Sequence, residues 1–225
     1  MGMKKILLCL LAFLLVPSVW AFGEEKSPGT KEVILERAEK ITYDSKNEAF
    51  NASGNVVVIQ GENRIECGEL SFSLRENRGS FRGGVRVTRG KTEIRALTME
   101  GDFDRELYTF QGDVELRKER ESEGEASVIL WKAEALFYNG KNEEAWSEGG
   151  VEITWKEVLL RADRAHYFPK DEAEGEEERV VLEGNVVITE KEREIQVAQA
   201  VYFLDTETLE ASGITRARFV IREKE

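Results

Sequence analysis

The chain has 225 residues and a formal net charge of −12, from 32 basic and 44 acidic residues. Its length suits one domain, or two small ones. The excess of carboxylates repels phosphate backbones, so we expect no nucleic-acid partner. One histidine and two cysteines leave little material for a metal site, and we predict neither a metal nor any other cofactor.

The first 21 residues have the three-part pattern of a secretory signal peptide. Lys4 and Lys5 form a basic start, 6–16 is an uncharged apolar run, and a small-x-small motif ends at Ala21. We predict cleavage near Ala21 and export of the mature protein. The alternative is an uncleaved inner-membrane anchor, although Pro17 interrupts the segment and the apolar run is shorter than the roughly 20 residues of a spanning helix.

A glycine followed by a short β-branched run recurs along the rest of the chain. Successive copies lie 29, 29, 37, 35 and 29 residues apart, and charged insertions account for the longer spacings. A fixed period of this size indicates stacked supersecondary units. We therefore predict a short linker over 22–31, one repeat-built domain over 32–222 and a charged tail over 223–225. The glycines are Gly54, Gly83, Gly112, Gly149, Gly184 and the degenerate Gly213.

Each unit carries the signals of β-strands. Val85 and Val87 alternate with polar residues, which is the period of a half-buried strand. The leading glycine permits a positive φ or a bulge where the chain enters the strand. Polar turns such as Asn139-Gly140 follow, so each unit is predicted to contain about two hairpins. The fold class is therefore all-β.

Few residues in the chain favour catalysis. Cys67 is the single cysteine after signal removal, and His166 is its only possible catalytic partner, so we interpret Cys67 as a small apolar strand residue. The sequence has no nucleophile elbow, phosphate-binding loop or histidine-rich metal motif, and we predict that the protein is not an enzyme. Trp131, Trp146 and Trp155 leave polysaccharide binding open, since tryptophan stacks on sugars, but packing is the commoner role of strand aromatics.

Two copies of the repeat carry a longer motif. In the first, 37–43 (Arg-Ala-Glu-Lys-Ile-Thr-Tyr) leads to 52–56 (Ala-Ser-Gly-Asn-Val). In the second, 160–167 (Leu-Arg-Ala-Asp-Arg-Ala-His-Tyr) leads to 182–186 (Leu-Glu-Gly-Asn-Val). This motif resembles the OstA/LptA repeat of the periplasmic lipopolysaccharide-transport proteins, and the resemblance covers 32–221.

The resemblance implies an elongated β-jellyroll of two facing antiparallel sheets, built from about six repeats of paired strands. In that family the apolar interior shields the acyl chains of lipid A, and the molecules join end to end between the inner and outer membranes. It therefore implies a non-catalytic lipopolysaccharide carrier. The alternatives are the inner-membrane-anchored, LptC-like partner of the bridge, and a structural β-repeat scaffold or polysaccharide-binding protein without a lipid ligand.

Lipid contact is assigned to the inward-facing apolar residues of the repeat strands, of which about half are expected only to pack the core. These residues are Val56, Val58, Val85, Val87, Val114, Leu116, Val151, Ile153, Val186 and Ile188.

Partner contacts are assigned to the first and last strands. Their unpaired backbone groups can pair with another transport component, or with a second copy head to tail. The assigned residues are Val33, Ile34, Leu35, Phe219, Val220 and Ile221.

Overall fold

The structure is a computed structural model that describes residues 32–122, 125–171 and 173–219. The predicted signal peptide, linker and charged tail lie outside these residues, as do Val220 and Ile221 of the predicted last strand. Within the described ranges no helix is long and apolar enough to cross a membrane.

The described residues form thirteen β-strands, which confirms the all-β prediction. The strands are β1 Ile34–Arg37, β2 Lys40–Asp44, β3 Ala49–Gln60, β4 Asn63–Ser73, β5 Arg78–Arg89, β6 Thr92–Asp102, β7 Leu107–Ser122, β8 Glu125–Asn139, β9 Glu144–Trp155, β10 Val158–Phe168, β11 Arg179–Glu190, β12 Arg193–Phe203 and β13 Thr208–Arg218.

All thirteen strands belong to one antiparallel, hydrogen-bonded sheet. From β3 to β13 each strand pairs with the next in the chain. At the start of the sheet, β1 pairs with the second part of β3 and β2 with the first part, so these two short strands share one partner.

A β-bulge interrupts each long strand near its middle. In β3 the pairing with β4 shifts between Ser53 and Val56, around Gly54 and Asn55, whose φ angles are 80° and 48°. Equivalent shifts occur at the other repeat glycines. A bulge bends its strand, so each long strand is divided into two halves. This confirms the prediction of a bulge or positive φ at the repeat glycine.

The two halves of the strands form two facing layers. Layer A consists of Ala49–Ser53 of β3 and the strand halves that continue its pairing across the sheet. Layer B consists of Val56–Gln60 of β3 and the strand halves that continue that pairing. The rings of Trp155 in layer B and Tyr202 in layer A lie 5.8 Å apart, although β9 and β12 are three strands apart in the sheet. The facing layers of the jellyroll are therefore two parts of one sheet that coils back on itself.

The cross-strand register explains the repeat. Val56 pairs with Cys67, and Val85 pairs with Ala96. The valine that follows each bulge therefore lies opposite a small or apolar residue of the next strand. Val114 and Val151 lie opposite Ala133 and Ala162, and Val186 lies opposite Val197. A branched side chain beside a small one allows the inner side chains of the two layers to interdigitate.

Candidate functional site

The interior between the layers is the first candidate site, because it contains the residues assigned to lipid. Nine of the ten are buried, and Val87 is half-buried and packs against the same core cluster. The sequence therefore located the inner face of each repeat strand correctly. Whether these side chains contact lipid or only pack the core stays a prediction.

The interior is filled by large side chains. Phe81 and Leu136 are fully buried, and Trp131 is 1% exposed. Two cavities between the layers, one beside Val87 and one beside Leu116, each have a volume of about 20 Å³. Such a volume holds little more than one water molecule. An acyl chain can enter at these places only if the two layers separate.

The layers meet along a seam formed by the strand ends opposite the bulges. The Tyr108 hydroxyl of layer A lies 3.4 Å from the side-chain carbonyl of Gln60 of layer B. Arg89 of layer B donates a hydrogen bond of 2.7 Å to the carbonyl oxygen of Gly140. Burial raises the pKa of Tyr108 and of Tyr138 to about 12, so both phenols remain protonated. Several recurring tyrosines thus line the seam.

The C-terminal part of the seam contains a partly buried ionic cluster, which sequence reasoning missed. The Arg120 Nη2 atom lies 2.5 Å from Glu178 and 2.6 Å from Asp205. The side chains of Arg120 and Glu178 are each 9% exposed. Tyr167 donates a hydrogen bond of 2.6 Å to Glu178, and burial raises the pKa of this tyrosine far above its usual value. The cluster ties β7 of layer B to the A-layer ends of β10, β11 and β12.

Apolar inner-face residues are exposed at both ends of the sheet. In layer A, Ile41 and Tyr43 of β2 are 57% and 60% exposed, although their cross-strand partners Ala52 and Phe50 belong to the core or pack against it. In layer B, Ile214 of β13 is 64% exposed beside the buried Val197. The apolar interior is therefore open at each end, on opposite layers.

The edge residues predicted for partner contact have mixed positions. Ile34 is 47% exposed and Phe219 is 58% exposed, as partner contact requires. Val33 and Leu35 are partly buried and pack against the core. Edge strands contact partners through backbone groups as well as side chains, so the assignment to partner contact remains a prediction for these four residues.

The three tryptophans considered for sugar stacking differ in position. Trp131 and Trp155 are buried, and their indole nitrogens donate to Ser147 and Ser127. Trp146 is half-buried and lies on the outer face of β9, between the inward-facing Ala145 and Ser147. It is therefore the tryptophan placed to meet a ligand from solvent.

The Cys67 thiol is buried, in agreement with its interpretation as a small core residue. Burial raises its pKa to about 11, so the reactive thiolate is scarce at neutral pH. Cys67 points to the interior, whereas His166 lies on the outer face of β10, so the two do not form a catalytic pair. Within the described ranges no three histidine, cysteine or acidic residues are grouped as a metal site.

Comparison of the sequence with protein-family models and with curated proteins finds no match. Comparison with solved structures finds LptH, the LptA homologous periplasmic component of the conserved lipopolysaccharide transport device from Pseudomonas aeruginosa. The match has a TM-score of 0.28 and 10% sequence identity, and it covers 86% of this chain and 96% of that chain.

Proposed function

We propose that this protein is a non-catalytic periplasmic carrier of lipopolysaccharide, which shields the acyl chains of lipid A between layers A and B. The observation that supports this best is the exposure of inner-face apolar residues at both ends of the sheet. A carrier in a bridge needs an apolar path that continues into its neighbours. Ile41 at one end and Ile214 at the other are placed to extend such a path.

Lipid loading in this proposal requires the layers to part along the seam. Each buried methylene of an acyl chain contributes about 0.8 kcal/mol, so several methylenes offset the loss of a few seam contacts. The ionic cluster and the hydrogen bonds made by Tyr108 and Arg89 lie at the rim of the interior, and water can solvate these polar groups when the seam opens. The apolar residues behind them then contact the chain.

The neighbours in this proposal are other lipopolysaccharide-transport components, with a second copy of this chain, head to tail, among the candidates. Among the described residues, β1 and β2 begin the sheet and β13 ends it, and such edge strands present backbone groups that can accept another strand. Periplasmic localisation in this proposal follows from removal of residues 1–21. If they are retained, the protein is the membrane-anchored, LptC-like partner, and N-terminal sequencing of the purified protein distinguishes the two.

A second candidate function is favoured by the filled interior. A structural β-repeat scaffold without lipid is expected to have a tightly packed interior, and the cavities between the layers measure only about 20 Å³ each. A carrier is expected to co-purify with an amphiphile, and a scaffold is not.

Photocrosslinking tests the carrier directly. We would place a photoreactive amino acid at Val87, which is half-buried beside an interior cavity, and as a matched control at Arg86, which points outward from the same strand. The carrier proposal expects crosslinks to lipopolysaccharide from position 87 and not from position 86. Equal crosslinking at both positions, or none at either together with no amphiphile in mass spectra of gently purified protein, would favour the scaffold.

A further inference from the structure

An aromatic patch lies on the outer face of layer A, away from the interior. It consists of Phe137 of β8, Trp146 of β9, and His166 and Phe168 of β10. The four side chains alternate with inward-facing residues, and none of them belongs to the buried core. The proposed lipid carriage does not use this patch, because it lies on the opposite face of the same strands.

The rings of the patch pack differently on the two sides of the Trp146 indole. Phe137 stacks on one side of the indole, with ring centroids 5.4 Å apart and planes 11° apart. On the other side the His166 ring is tilted by 53°, at a centroid distance of 5.8 Å. A cavity of about 370 Å³ is lined by Trp146, His166, Phe168 and Val181 but not by Phe137. The cavity therefore opens on the indole side that Phe137 does not cover.

Charged side chains line the same cavity at positions nearer to the bulge than the aromatic rings are. Arg164 lies opposite Glu148 of β9 and Glu183 of β11, and its guanidinium is 3.0 Å from the Glu183 carboxylate. The Arg164 side chain is 59% exposed. Two carboxylates around one guanidinium provide both hydrogen-bond acceptors and donors without an excess of positive charge. The combination suits hydroxyl groups better than an anion.

His166 adds no charge to the cavity at neutral pH. Burial lowers the pKa of the imidazole, while the nearby Glu144 partly opposes this effect. The ring is therefore neutral at neutral pH. It stacks on Phe168 at a centroid distance of 3.9 Å, so the two side chains form a flat apolar wall.

A second concavity on the outer face shows that the aromatic lining is a local feature. It lies over β2 to β5, has a volume of about 550 Å³, and is lined by polar residues such as Thr42, Asn51 and Ser71 together with Arg82. It contains no aromatic ring. The cavity beside Trp146 thus differs from this second concavity in having aromatic side chains in its lining.

We propose that the cavity beside Trp146 binds a pyranose oligosaccharide. The C–H face of a sugar ring packs on the part of the indole that lines the cavity, and its hydroxyl groups hydrogen-bond to Glu148, Arg164 and Glu183. Concave sites of about 300–1,000 Å³ with apolar walls and a few polar groups are typical of small-ligand binding. A plain hexose chain and an N-acetylated amino-sugar chain share this chemistry.

Titration calorimetry with two probes that carry no fatty acyl chain, maltotriose and tri-N-acetylchitotriose, tests the proposal on the full mature protein. We expect saturable binding of at least one probe. Binding of maltotriose would identify the ligand as a plain hexose chain, and binding of tri-N-acetylchitotriose would identify it as an amino-sugar chain. Because neither probe has an acyl chain, the result is independent of lipid carriage. Failure of both probes to bind the wild-type protein would overturn the proposal.

Two pairs of variants locate the site. Trp146→Ala should weaken binding about tenfold or more, whereas Leu97→Ala, at a residue that is 55% exposed elsewhere on the sheet, should not change it. Arg164→Gln should also weaken binding, whereas Arg82→Gln in the second concavity should not. The Arg164 side chain is 59% exposed, so loss of its ion pair with Glu183 should cost less than about 1 kcal/mol of stability. Binding that is unchanged in both Trp146→Ala and Arg164→Gln would place the sugar elsewhere and overturn the proposal.

Discussion

The ammonium group of Lys118 donates a hydrogen bond of 2.7 Å to the hydroxyl oxygen of Tyr167. Lys118 belongs to layer B of β7 and Tyr167 to layer A of β10, so this bond crosses the interior rather than following the sheet. The same hydroxyl donates to Glu178, which is paired with Arg120. The bond therefore ties a second residue of β7, besides Arg120, to the ionic cluster of the seam.

The ionic cluster should contribute strongly to stability. Replacing Arg120 by Met leaves the Glu178 carboxylate without its cation in a site where both side chains are 9% exposed, and we expect a loss of about 3 kcal/mol in the free energy of unfolding. Urea denaturation measures it. Arg95→Met removes a pair in which the arginine is 57% exposed, and this control should cost less than about 1 kcal/mol. Similar losses in both variants would mean that the seam cluster is as weak as a surface pair.

The bulges predict a difference between two adjacent glycines. Gly83 and Gly84 have φ angles of 80° and 79°, but a Cβ atom at Gly83 would lie 3.1 Å from the Gly68 Cα, whereas at Gly84 it would meet nothing within 4 Å. Gly84→Ala should therefore cost about 1 kcal/mol, the backbone penalty alone. Gly83→Ala should cost at least about 2 kcal/mol, because the backbone of β4 must also move. Thermal denaturation compares them, and equal losses would contradict the close approach of β4 and β5.

The exposed apolar residues at the ends of the sheet predict that the protein self-associates and that a charge placed there weakens the association. Sedimentation velocity should detect concentration-dependent oligomers of the mature protein, and Ile214→Asp should reduce them. The substitution places a carboxylate on an apolar surface that the next copy would bury. Because Ile214 is 64% exposed, the free energy of unfolding should change by less than about 0.5 kcal/mol. Leu97→Asp is the control. An equal effect of both variants would argue against association through the ends.

The lowered pKa of His166 predicts a pH-dependent stability. In the unfolded chain the imidazole takes up a proton more readily than in the fold, where burial opposes its charge, with Arg179 adding repulsion and Glu144 attraction. The contribution of the neutral His166 side chain to the free energy of unfolding is complete at pH values above its unfolded pKa of about 6.5, and it is lost as the pH falls below that value. The stability of the wild-type protein relative to His166→Gln should therefore decrease between pH 7.5 and 5.5. A relative stability that increases over this range would contradict the burial effect.

The buried Cys67 thiol predicts slow labelling. With its pKa raised to about 11 and little exposure, it should resist a maleimide at pH 7 in the folded protein and react fully in guanidinium chloride.

The thiol count of the unfolded protein also tests signal cleavage, because Cys9 lies in the predicted signal peptide. One thiol per chain is expected after cleavage. Two thiols would indicate that the segment is retained.

The sequence determined the strands of this protein and the face of each strand that is buried. The period-2 alternation around Val85, Val114 and Val151 identified inner positions, since side chains on a strand alternate strictly between its faces. The repeat glycine indicated a bulge, and at Gly54 the register shifts between Ser53 and Val56. These features are local, and each repeat presents them again.

The tertiary structure decided what the two halves of each strand face. Lys118 meets Tyr167, and Arg120 meets Glu178, across separations of 49 and 58 residues that no repeat spacing encodes. These contacts depend on how tightly the sheet coils, which sums small twists and bends over three or four strands. For the same reason the sequence could not predict that large side chains fill the interior. Alternation along a strand specifies its two faces, and only the coiling of the whole sheet determines which of them lie opposite one another.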